Sequence, residues 1–178
     1  MVFHTPLNTS RTTNLTAAVA LSLERALKHM SWANQEVYKL IIALPDEALN
    51  AYATDPEWTV GEILRHIASS SEVYGSRLKG VEIKGLVRPT SMQGLETIAK
   101  QLLSTDAELL QLANVEDEKI AITREGKTTY WMRSTIITQA IHHATEHRAQ
   151  AVSALEARGF KAVNLDDYDV WAYEFNQE

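Results

Sequence analysis

Along residues 15–44 apolar side chains return every three or four positions, at Leu23, Ala26, Met30, Ala33, Val37, Leu40, Ile41 and Leu44. That spacing lines one stripe of an α-helix, and Pro45 within LPDEAL marks its stop. A second helix is announced by EWTVGEI: Thr59 can cap it, Glu62 can close a capping box, and Trp58 can staple onto Ile63. It is expected to run to about Lys79. The connector GVEIKGLVRPTS carries two glycines and a proline, and helical periodicity then resumes from about Ser91 to Ala113, with Gly94 weakening the first turn. KIAITREGKTTYWM alternates apolar and polar residues on either side of REGK, which predicts a short hairpin. A last helix spans about Ser134 to Arg158, with Gly159 in the position after its cap. The acidic, aromatic tail is expected to pack Tyr168 and Trp171 against the helices. The pattern predicts an all-α protein, a four-helix bundle with a short β-hairpin between helices 3 and 4, in one domain over residues 1–178.

Composition narrows the chemistry. The chain of 178 residues is 45% hydrophobic and 22% charged, ordinary for a globular domain with one sizeable core. A net charge of −6 without any basic run removes the electrostatic footprint of a nucleic-acid binder. The apolar run LTAAVALSL, residues 15–23, is too short to span a bilayer and no basic leader precedes it, so a cytoplasmic protein without a membrane partner is expected. There is no cysteine, which excludes disulfides, thiolate metal sites and a protein thiol nucleophile. Any thiol chemistry must use a thiol carried by the substrate.

The informative stretch is IHHATEHRAQ, residues 141–150, with three of the six histidines. At about 100° per residue, His147 lies about 40° from His143, while His142 falls about 100° away on the polar side. His143 and His147 therefore share one face, at the border of an apolar arc formed by Ile136, Ile137, Leu155, Ile141 and Val152. Histidines four apart stack on one helix face, the spacing by which one helix gives two nitrogens to a metal. A third ligand must come from another helix. His66, beside Ile63 and Ser70, is the candidate; His29, beside Ala33 and Ala26, has the same kind of border position and is a reserve ligand or pocket wall. Against this, a lone HxxxH is more often a surface pair, and a single border histidine more often only hydrogen-bonded. HATEH also matches the H-x-x-E-H motif of inverted zincin peptidases, but that family takes its third ligand from a downstream glutamate on a much larger chain. Glu146 points about 60° from His143 toward the polar side, as a solvated or outer residue of the pocket. Gln150 lies about 20° from His143, one turn from His147, where its amide could orient a ligand. Arg148 falls inside the apolar arc and needs a carboxylate or carbonyl partner; a salt bridge, at a subunit contact, is expected.

Three segments together resemble a known family: WAN at residues 32–34 in a long first helix, WTVGEILRHI at 58–67, and HATEHRAQ at 143–150. The chain is similar to the DinB/YfiT-like superfamily of metal-binding four-helix bundles over most of its length. The helix-4 signature of that family is H-x-x-x-H-R-G-Q, and Ala149 stands here where the glycine does. The resemblance implies that His66, His143 and His147 hold a divalent metal ion, zinc or nickel, with open positions for water or substrate. It also implies a homodimer, and a metal-dependent transferase using a low-molecular-weight thiol as small-molecule substrate. A metal on three neutral imidazoles keeps its +2 charge and lowers the pKa of a bound water to roughly 7, and ionises a thiol more readily still. A metal-dependent hydrolase, or a bundle that only binds metal or ligand without catalysis, are the alternatives. Catalytic residues and a general base are not named by any motif.

Overall fold

A computed structural model of the protein describes residues 23–177. The expected beginning of the first helix at Leu15 and His4 lie outside the described residues. The elements run α1 (Leu23–Ile42), a 3₁₀ turn (Asp46–Asn50), α2 (Val60–Lys79), α3 (Met92–Leu112), β1 (Lys119–Arg124), β2 (Lys127–Met132), α4 (Arg133–Ala157), a second 3₁₀ turn (Leu165–Tyr168) and a short α5 (Val170–Phe175). The fold is mainly helical, with one antiparallel hairpin between α3 and α4, as the periodicity predicts.

Local chemistry sets the ends. Thr59 Oγ1 accepts the Glu62 N–H at 3.4 Å and Ser91 Oγ accepts the Gly94 N–H at 3.2 Å, each satisfying an amide that the first turn leaves unpaired. The reciprocal half of the expected capping box does not form, because the Glu62 carboxylate turns to the Arg65 guanidinium one turn on. The hairpin pairs Ile120 with Trp131 and Ile122 with Thr129. Its turn places Glu125 and Gly126 at φ of 52° and 76°, the paired left-handed conformation whose twist matches the strands.

The packing order was not written in the periodicity. α1 and α2 each pack against both α3 and α4, so α1 stands diagonally across from α2. α2 and α3 run parallel, which requires the connector at residues 80–91 to travel back along α2. Glu72 holds it there by accepting the amides of Lys84 at 2.9 Å and Gly85 at 3.1 Å, and Arg65 reaches the Leu86 carbonyl at 3.4 Å. Gly85 adopts a φ of 77°, open to glycine at little cost. α4 runs antiparallel to α2, so that Trp58, just before α2, meets Gln150 late in α4, and Tyr74 meets the earlier His143.

Leu27, Ile41, Ile63, Leu64, Leu95, Leu109, Ile137 and Leu155 are buried between the four helices. Each such side chain stabilises the fold by about 1.5–3 kcal/mol. Ile136, Ile137, Val152 and Leu155, four of the five residues of the apolar arc that His143 and His147 border, are buried within this core. Through the core runs a polar chain. Arg148 is buried and donates to Asn34 Oδ1 at 2.6 Å and to Thr145 Oγ1 at 3.2 Å. Asn34 Nδ2 in turn donates to Asp106 Oδ2 at 2.9 Å, and Ser71 Oγ to Asp106 Oδ1 at 2.9 Å. The expected salt bridge of Arg148 is thus relayed: its charge faces Asp106 through the Asn34 amide, inside the chain. Burial raises the Asp106 carboxyl to about 6, against the hydrogen bonds from Asn34 and Ser71, and lowers Arg148 to about 10.

The tail corrects one expectation. Tyr168 packs beside Trp32 with ring centroids 5.7 Å apart, but Trp171 is 75% exposed, because α5 turns its indole outward. No helix of the described residues is long and apolar enough to cross a membrane.

Candidate metal centre

α2 and α4 meet along a seam, and His66, His143 and His147 occupy its middle. One ring nitrogen from each of the three lies within 4.8 Å of the other two. His66 Nε2 and His143 Nε2 are 3.0 Å apart, and the rings of His143 and His147 are centred 4.2 Å apart. Nitrogens about 2.05 Å from a tetrahedral zinc stand roughly 3.3 Å apart, so this spacing is near what one shared cation requires.

The electrostatics favour neutral imidazoles. Burial, then the neighbouring His147 and His66, push His143 down to about 4. Burial, then His147 and Arg65, lower His66 as well. At neutral pH both rings keep a lone pair free for a metal, as coordination demands.

His147 is oriented from outside. Its Nδ1 lies 2.9 Å from Gln150 Oε1, and the same oxygen accepts the Trp58 indole N–H at 2.9 Å. An indole nitrogen can only donate, so it holds the carbonyl end of the Gln150 amide in place. That oxygen can only accept, so Nδ1 of His147 carries the proton and Nε2 carries the lone pair. Trp58, which lines one cavity with its expected staple partner Ile63, also sets its ring edge-on to His66 and His147, at centroid distances of 5.2 and 5.7 Å.

A sequence model of the DinB family matches residues 12–177. The chain belongs to the DinB family. No curated protein matches it. In this DinB chain Ala149 is exposed and lines, with Asp55, Trp58, Glu146, Gln150 and Ser153, a cavity of about 510 Å³ beside His147's orienting amide. Glu146 is therefore an exposed wall of that cavity.

His29, the reserve ligand, is not brought to the group. Its Nε2 lies 3.0 Å from the Tyr168 carbonyl, and its ring stands beside Tyr173 at 5.8 Å. It lines a separate cavity of about 570 Å³ with Arg25, Val170 and Trp171, larger than the one near Gln150 but without a second histidine. His142 is exposed. Sequence reasoning missed Trp58 and Tyr74 as neighbours of the histidines. Both contacts follow only from the register of α2 on α4, which no local spacing in the sequence displays.

Proposed function

We propose that His66, His143 and His147 bind one divalent transition-metal ion, zinc or nickel, and that the protein uses it to activate a low-molecular-weight thiol for transfer to an electrophilic small molecule. The observation that carries this reading is the convergence of three imidazoles, one of them locked in its tautomer by Gln150 and Trp58. Imidazole donors suit zinc and nickel alike. When bound, such an ion supplies Lewis acidity undiminished by ligand charge, enough to ionise a thiol at neutral pH.

The chain's own residues supply the rest. The Gln150 amide and the Trp58 indole hold the His147 ring in a fixed direction, so that little rearrangement is needed when a cation arrives. No fourth His, Asp or Glu joins the three among the described residues, which supports the reading of a site that keeps positions for exchangeable ligands, as catalytic sites do. With no cysteine in the chain, the thiolate comes from the substrate. Thiols are kept reduced in the cytoplasm, so a cytoplasmic reaction is consistent with this reading.

Metal analysis of protein purified without a histidine tag tests the site. About one equivalent in the wild type and a loss of most of it in His66→Ala is expected. Cobalt substitution followed by thiol titration tests the open position. Equal metal content in both proteins would remove the site, and a cobalt spectrum indifferent to thiols would mark it as closed and structural.

A further inference from the structure

The α2/α4 seam continues past the histidines, away from Gln150. There Tyr74 stands edge-on to His143, with ring centroids 5.8 Å apart. Beyond Tyr74 lies a groove of about 260 Å³ between α2, α4 and the hairpin. Its walls are Ile122, Ile136 and the indole of Trp131, and its polar groups are Arg77, Tyr74, Thr135 and Gln139. No acidic residue lines it.

Arg77 is the unexplained group. It is partly buried, it lines the groove, and it makes no hydrogen bond or ion pair with the described residues. On an acidic chain of net charge −6, where Arg65, Arg133 and Arg148 all have hydrogen-bond partners, a partly buried arginine on the wall of an acid-free cavity is a group waiting for an anion. Trp131 is set for the other end of such a ligand. The residue is 49% exposed, yet its Nε1 is already committed to Thr129 Oγ1 at 3.1 Å, so what it offers the groove is an aromatic face. Tyr74 bridges the groove to the histidines, with the Gln139 side chain beside its hydroxyl.

We propose that this groove binds a small organic carboxylate, the anionic end on Arg77 and the apolar body under Trp131, with the rest of the molecule directed past Tyr74 toward the three histidines. Its role as the electrophile's subsite rests on the metal reading above; its binding chemistry does not. The cavity beside Gln150 then remains for the thiol, and the two reactants approach the histidines from opposite ends of one seam.

Phenylacetate and its neutral isostere phenylacetamide are the probes, followed through the indole N–H resonances of the full chain, with Trp131→Phe assigning the signal. Phenylacetate is expected to shift the Trp131 resonance, to bind at least about tenfold more tightly than the amide, and to lose about tenfold in Arg77→Met while Arg77→Lys retains part of the affinity. Unchanged resonances of Trp32 and Trp58 in Arg77→Met confirm that this variant is folded. Equal binding of acid and amide, equal binding by Arg77→Met and wild type, or no Trp131 shift would overturn the proposal. His66→Ala separates the two readings: carboxylate binding retained there, with no cobalt uptake by the wild type, would leave the groove standing and remove the metal.

Discussion

The Trp58 indole donates to Gln150 Oε1 across 2.9 Å, joining the residue before the α2 cap to the last third of α4. Because the same oxygen faces His147 Nδ1, this one contact determines which His147 nitrogen is available to a cation.

Gln150→Leu should therefore lower metal affinity by about 10–100-fold while leaving the helical content unchanged. Trp58→Phe should lower it less, since the ring still packs on His66 and His147 but the amide is free to turn over. Chelator competition on both variants measures this; wild-type affinity in Gln150→Leu would contradict the orienting role.

Arg148→Ala leaves Asn34 Oδ1 without its donor and the Asp106 carboxylate without its relayed counter-charge, in a site both partners share with no solvent. A loss of about 3–5 kcal/mol is expected in urea unfolding. A change under 1 kcal/mol would mean that the chain of hydrogen bonds adds nothing.

Two of the shifts that set acid stability in the metal-free protein oppose one another. Asp106, raised to about 6, contributes stability that is complete below its unfolded value near 3.8 and lost as pH rises through about 6. His143, lowered to about 4, contributes stability present above 6.5 and lost as pH falls toward 4. In the wild type the two partly cancel between pH 4 and 6.5. Asp106→Asn removes one of them, and its amide can still accept from Asn34 and donate to Ser71. Its unfolding free energy should fall more steeply than the wild type's on acidification across that window, by up to about 3 kcal/mol. Parallel pH profiles would refute this.

Ala149→Gly restores the family's signature residue at an exposed helical position. It should cost about 1 kcal/mol of stability through helix propensity alone and leave metal affinity within twofold. A larger loss of affinity would show that the methyl shapes the cavity beside Gln150.

Helix ends were legible in the chain because caps act locally: Thr59 and Ser91 bind amides three residues away, and Gly80, Gly126 and Gly159 take left-handed conformations open to glycine. The pairing of His143 with His147 was legible for the same reason, since helical twist relates residues four apart without reference to the rest of the fold.

Helical periodicity by itself could not decide the partner across the seam; the family resemblance pointed to His66, and the structure groups it with His143 and His147. His29 and His66 have equivalent border positions on their own helices, and periodicity ranks neither. The structure separates them because α1 meets α4 on the face carrying Arg148, which bonds Asn34, whereas α2 meets the face carrying His143 and His147. Trp58, Tyr74 and the relay beneath Arg148 belong to the same class. Each depends on which helices are neighbours and at what height. That is set by burial summed over the whole core and by the return of the connector along α2, and no local spacing encodes it.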